Sequence, residues 1–142
     1  IRTVGLGSCV GVVVYDSSIR TAAMAHVMLP DSLLAKGIVS NPAKFADRAV
    51  GELVEVLKQK GSTCKRLKAK IAGGAQMFQL KSGSESTRIG PRNVKEIERQ
   101  LKRFDIHLAA AEVGGSSGRT IEFDTENETL IVRTVYQGTI EI

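Results

Sequence analysis

The chain has 142 residues, 42% of them hydrophobic and 25% charged, which suits one globular domain with a sizeable core and gives no reason to expect a second. No run approaches the roughly 18 apolar residues of a membrane-spanning helix, no secretory pattern is present, and the two cysteines, Cys9 and Cys64, form no C-x-x-C pair, so neither a disulfide framework nor a zinc knuckle is suggested and a reducing cytoplasm is expected. The formal charge of +5, concentrated in residues 58–70 and 92–104, favours an acidic partner or simply solvated helix faces, while the absence of Trp and an aromatic content of 4% argue against a nucleic-acid platform.

The chain opens at Ile1 inside a strand-like run and without an initiator methionine, so an N-terminal segment is expected to precede it. "CVGVVVY" (9–15) and "TAAMAHVML" (21–29) are continuous apolar runs that predict buried strands. From Asn41 to Gly61 the apolar residues Phe45, Ala49, Val50, Leu53, Val54 and Leu57 recur at helical spacing, with Asn41 as cap, Pro42 in the first turn and Gly61 as a left-handed end. Strands follow near 66–72, 106–113, 119–124 and 129–136, and the polar stretch "LKSGSESTR" (80–88) predicts a mobile loop. A second helix is predicted after "GPRN", with Asn93 as cap, Glu96 closing a capping box, and Val94, Ile97, Leu101 and Phe104 on its buried face. Strands outnumber helices without strict alternation, which points to α+β rather than a doubly wound parallel sheet.

Chemistry concentrates in Cys9 and in His26, seventeen residues later. If the first two runs form a hairpin with Ser17-Ser18 as its central turn, paired residue numbers sum to 35 and Cys9 lies opposite His26, Cβ atoms about 4.5–5.5 Å apart. The turn is the weak step, because Ser-Ser is not a favoured hairpin dipeptide and a bulge or longer loop slips the register. A thiol of pKa ~8.5 is about 3% ionised at pH 7, and an adjacent imidazolium that lowers it to ~6.5 makes it roughly three-quarters thiolate. The glycines of "GLGSC" leave backbone N–H groups free to face a developing oxyanion. The alternative is structural, with Cys9 a small buried hydrophobe and His26 a satisfied core residue.

"TVGLGSC", "AMAHVMLP", "KFADRAV", "IAGGAQMF", "IGPRN" and "VGGSSGR", in that order from Thr3 to about Tyr136, resemble the CheD family of chemoreceptor glutamine deamidases. The resemblance implies a cysteine hydrolase that converts chosen glutamines of chemoreceptor cytoplasmic helices to glutamate and releases ammonia. Carried over residue by residue, Cys9 is the nucleophile, His26 the general base and acid, and Thr3 the group that orients His26 through its hydroxyl or its backbone carbonyl. Without the family, Thr3 reads equally as an ordinary strand residue. No metal or organic cofactor is required. The family also implies a layered α/β/β fold resembling the catalytic domain of the cytotoxic necrotizing factor toxins, and a second partner, the CheC phosphatase, which competes with receptor near the active site. Neither nucleic acid nor membrane insertion is implied. An adaptor that mainly binds receptor and CheC, with weak chemistry, is the competing expectation.

Phe78, in "GGAQMF", is a candidate CheC contact if exposed beside Met77, and a core residue if folded back. "GGSSGR" (114–119) lacks the phosphate-loop frame and predicts a turn between strands that, under the family resemblance, helps shape the site. Cys64 and His107 read as structural, and Arg92 and Asn93 as residues that fix a helix start rather than touch substrate.

Overall fold

A computed structural model describes residues 1–78 and 88–142. In chain order its strands and α-helices are β1 (Arg2–Leu6), β2 (Val10–Asp16), β3 (Thr21–Val27), α1 (Ala46–Gln59), β4 (Leu67–Gly73), α2 (Ile89–Arg103), β5 (His107–Val113), β6 (Arg119–Asp124), β7 (Thr129–Thr134) and β8 (Gly138–Glu141). They build two four-stranded sheets, ordered β3-β2-β4-β5 and β1-β6-β7-β8. Among the named strands of the described residues only the β4–β5 pair is parallel, its crossover passing through α2; the other strand pairs are antiparallel, and the architecture is α+β as the strand excess predicts.

The layering follows from β2, in which all seven residues are buried. Alternation sends Val10, Val12 and Val14 towards the helices, where they meet Ala49, Leu53, Ile97 and Leu101. Val13 and Tyr15 point the other way, into a second core with Leu6, Ile121, Phe123, Leu130 and Val132. One helix layer and two sheets therefore share β2 as their axis, and a continuous apolar run is what a strand covered on both faces requires.

Four sequence expectations need correction. The β2–β3 hairpin pairs Gly11 with His26 and Asp16 with Thr21, so partner numbers sum to 37 rather than 35. The loop is Ser17–Arg20, a 3-10 turn that Asp16 caps by accepting from the Ser18 N–H and that Arg20 closes at φ 50°. Asn93 caps nothing: α2 starts at Ile89, and Glu96 accepts from Arg99 and Gln100 instead of reaching back. The 129–136 run ends at Thr134, because Tyr136 (φ 59°) and Gly138 (φ 90°) reverse the chain into β8, a strand the sequence analysis did not foresee. Asn41 caps a 3-10 turn over Pro42–Lys44, leaving Phe45 at the start of α1, while Gly61 ends that helix region at φ 98° as expected. Of the predicted loop 80–88, all but Arg88 lies outside the described residues.

The end of β2 is held by a buried carboxylate. Asp16, 1% exposed, accepts from Ser62 Oγ at 2.8 Å, Arg66 Nε at 2.9 Å and the Ser18 N–H and hydroxyl. Burial alone would raise its pKa, but these donors hold it at about 2, against 3.8 for a free Asp. A carboxylate depressed on folding contributes stability above its unfolded pKa and loses it as pH falls through the folded value, here between about 4 and 2. Asp16→Asn is expected to cost about 2 kcal/mol in urea unfolding at pH 7. The gap between the two proteins should close as pH approaches 2.

Candidate active site

Three chain segments meet at one end of the inter-sheet core. Thr3 comes from β1 in the second sheet, His26 from edge strand β3 in the first, and Cys9 from the short link between β1 and β2. The Thr3 hydroxyl lies 2.9 Å from His26 Nδ1, and all three residues are partly buried. The side-chain hydroxyl, rather than the backbone carbonyl, is thus the group on the imidazole.

Two glycines make this meeting possible. The β1–β6 register shifts between Thr3 and Leu6, a bulge that contains Gly5 at φ 73°. Residues three apart in a regular strand face opposite ways, so the extra residue lets Thr3 reach His26 while Leu6 stays in the inter-sheet core. Gly11 lies directly opposite His26, and a Cβ there would sit 2.3 Å from Ile121 Cδ1 and 3.2 Å from Leu6 Cδ1. Only a bare backbone permits the second sheet to approach β2 at the level of the imidazole.

Cys9 has no direct partner on β3 but precedes Val10, which pairs with Val27. The register change of two residues preserves side-chain parity, so Cys9 still packs on the inter-sheet side, as a diagonal rather than an opposed neighbour of His26. Diagonal neighbours lie roughly 7–8 Å apart, farther than the opposed pair that the Ser-Ser turn implied. Burial raises the Cys9 pKa above its usual 9.0, only partly offset by the residue's own backbone N–H, and burial lowers that of His26 below 6.5. Both directions favour the neutral thiol and neutral imidazole over the imidazolium-assisted thiolate expected from sequence. The difference has one cause, since partial desolvation disfavours charge on both groups.

The Cys9 segment is fastened from behind. Ala75 N–H donates to Gly7 O and Gly74 N–H to Cys9 O, each at 2.8 Å. Gly73 (φ 117°) has no room for a side chain, because a Cβ would lie 2.4 Å from Cys9 O. Gly90 lets α2 press on this turn, since a Cβ there would fall 2.5 Å from Ala75 O. The fully buried Asn93 donates from Nδ2 to Ser8 O at 3.1 Å and to Met28 O at 3.2 Å. The motif "IGPRN" predicts a helix start at Asn93, and a contact across 85 residues leaves no local signal of its other role.

Around the site, Met77 lies against Gly7 and Phe78 is 78% exposed, which decides between the two readings of Phe78 in favour of the surface. The 114–118 loop is bound to the same turn through Gly114 N–H to Gly73 O and Gln76 N–H to Gly115 O, above a buried Arg119 paired with Glu112 at 3.1 Å. A hollow of about 360 Å³ adjoins His26, bordered by Met24, Met28, Asn41 and Lys44. Cys64 packs on the helix-side core and His107 is exposed on edge strand β5, so neither joins the site. The basic stretch of α2 is not uniformly positive: Arg99 pairs with Glu96, and Asp31 and Asp47 share their hollow with Arg92 and Lys95.

The fold and this arrangement define a layered α+β protein with a candidate thiol–imidazole centre between its two sheets. A family profile described as CheD chemotactic sensory transduction matches residues 28–134, most of the chain, starting two residues after His26. Relatives extend the match across the site itself. The chain is 52% identical over its whole length to the chemoreceptor glutamine deamidase CheD of Halalkalibacterium halodurans, covering 88% of that protein. It is 51% identical over 97% of its length to the chemoreceptor glutamine deamidase CheD of Bacillus subtilis, covering 83% of it. A probable chemoreceptor glutamine deamidase CheD of Geobacillus kaustophilus is 53% identical over the full chain. The chain belongs to the CheD family. Among the described residues no helix is long and apolar enough to cross a membrane.

Proposed function

We propose that this protein is a chemoreceptor glutamine deamidase in which Cys9 is the nucleophile, His26 the general base and acid, and Thr3 the residue that orients the imidazole. The observation that carries the reading is the 2.9 Å Thr3–His26 contact, made across two sheets, on the side of the fold where Cys9 sits with its backbone carbonyl held by Gly74. Names of relatives about half identical over the whole chain support the substrate class.

The chemistry follows from the tautomer. With Nδ1–H donating to Thr3 Oγ1, Nε2 is free to take the Cys9 proton as sulfur attacks the glutamine carboxamide carbon. The C–N bond then breaks, and the proton on Nε2 leaves with ammonia. Water attacks the remaining thioester with His26 again as base, so the carboxyl group is released and the thiol restored. Because both groups rest neutral, the proton moves during attack rather than before it. Every proton in this cycle passes through His26, and no second proton-transfer group is needed.

The same proposal includes regulatory binding of CheC at Phe78, supported by an exposed aromatic whose neighbour Met77 packs two residues before Cys9. A partner seated there would stand over the nucleophile and compete with receptor. Kinship with the toxin catalytic domain belongs to this reading too, supported by the helix–sheet–sheet layering.

Ammonia release from a chemoreceptor cytoplasmic fragment tests the proposal. Wild-type protein should release it, and Thr3→Val, which keeps the shape and removes the hydroxyl, should lower kcat about tenfold with little change in KM, the value of roughly one hydrogen bond. No release by wild type, with receptor and CheC still bound, would favour the adaptor. Full activity of Thr3→Val would remove Thr3 from the mechanism.

A further inference from the structure

We infer that Asn93 is a positioning residue that holds the Ser8–Cys9 peptide so that the Cys9 backbone N–H faces the reacting carbonyl and acts as an oxyanion donor. The inference rests on Cys9 being the nucleophile of a deamidase. Asn93 lies in the second turn of α2 with no exposed surface, and both Nδ2 protons are spent on backbone carbonyls, those of Ser8 and Met28. Its Oδ1 is buried without a partner. Rotating the amide would set that oxygen against the same two carbonyls, so the orientation is fixed and the orphaned oxygen is its cost.

What is gained is geometry on both sides of the site. In a planar trans peptide the carbonyl and the next N–H point in opposite directions. Ser8 C=O points into α2, so Cys9 N–H points away from it, and it reaches the thiol of its own residue, where it counters part of the burial effect. Gly7 O and Cys9 O are held by Ala75 and Gly74, so three successive carbonyls face the scaffold. Among these three ties only the Asn93 bond comes from a side chain. Its second bond, to Met28 O two residues beyond His26, joins the nucleophile segment to the end of the base strand. The N–H that remains is directed at the place where negative charge develops on the carboxamide oxygen.

Asn93→Asp keeps the shape but sets carboxylate oxygens against two carbonyls, and Asn93→Ala removes the tie. Each is expected to lower kcat for ammonia release from the receptor fragment about 100-fold, the usual loss for one oxyanion donor, with KM within about threefold and an unchanged far-ultraviolet spectrum. The pH midpoint of Cys9 labelling by iodoacetamide should rise in both variants, which a purely structural contact would not produce. A folded variant with kcat within threefold of wild type, or with lost kcat and an unmoved labelling midpoint, overturns the inference. Should neither variant fold, the unmutated protein decides. Its Cys9 amide proton resonance should shift with the midpoint of thiol ionisation, by more than the Cys64 amide shifts with its own thiol, and an indifferent Cys9 amide overturns the inference. Wild type that labels normally but releases no ammonia contradicts the deamidase reading instead, leaving labelling and resonance to decide the peptide's orientation.

Discussion

Cys9→Ala is expected to reduce ammonia release from a chemoreceptor fragment by about 10⁴-fold or more while the protein stays folded. No second thiol can substitute, because Cys64 packs against the core on the opposite side of β2. The structural cost should be small, about 1 kcal/mol or less, since Cys9 is only partly buried and the segment is fixed by its carbonyls rather than its side chain. Activity and stability should therefore separate cleanly in this one variant. An activity loss matched by a lowered unfolding midpoint would indicate a packing role for the thiol.

His26→Ala should cost about 10³-fold in kcat, because in the proposed mechanism one imidazole serves as base for attack, acid for ammonia departure and base for hydrolysis. Its pH behaviour provides the sharper test. Burial holds the His26 pKa below 6.5, so the imidazole becomes protonated and the base is lost only at lower pH. The acid limb of kcat/KM in wild type should consequently fall below pH 6.5, and it should vanish from the residual activity of His26→Ala. Iodoacetamide labelling of Cys9 with one pH profile in wild type and His26→Ala would show that the imidazole does not act on the thiol.

The elements that place the site were largely legible where burial left a pattern. The run at 9–15 announced a strand covered on both sides, and the spacing of Ala49, Val50, Leu53, Val54 and Leu57 announced α1, because both patterns record which faces meet a core. Register was less legible. A four-residue loop moved the pairing by two positions, yet parity kept Cys9 on the inter-sheet side with His26, so the two share a face without the direct opposition expected. Strand β8 escaped notice because all four of its residues are exposed and carry no alternation.

The supports of the site were harder to read than its reactive groups. Gly5 and Gly11 carry no chemistry, and their purpose lies in a bulge and in the distance between sheets, neither visible along one strand. Asn93 resembled a cap because its residue type is common there; only the fold brings it to Ser8 and Met28. Reactive residue types advertise themselves, whereas the residues that hold them do so through contacts distant in sequence.

Mass spectrometry of a chemoreceptor cytoplasmic fragment incubated with wild-type protein or Cys9→Ala tests the central claim most directly. The account predicts conversion of particular glutamines to glutamate by wild type alone, together with a transient thioester between receptor and Cys9 trapped on rapid acid quenching. Equal conversion by Cys9→Ala, or none by wild type under conditions where it binds the fragment, would contradict it.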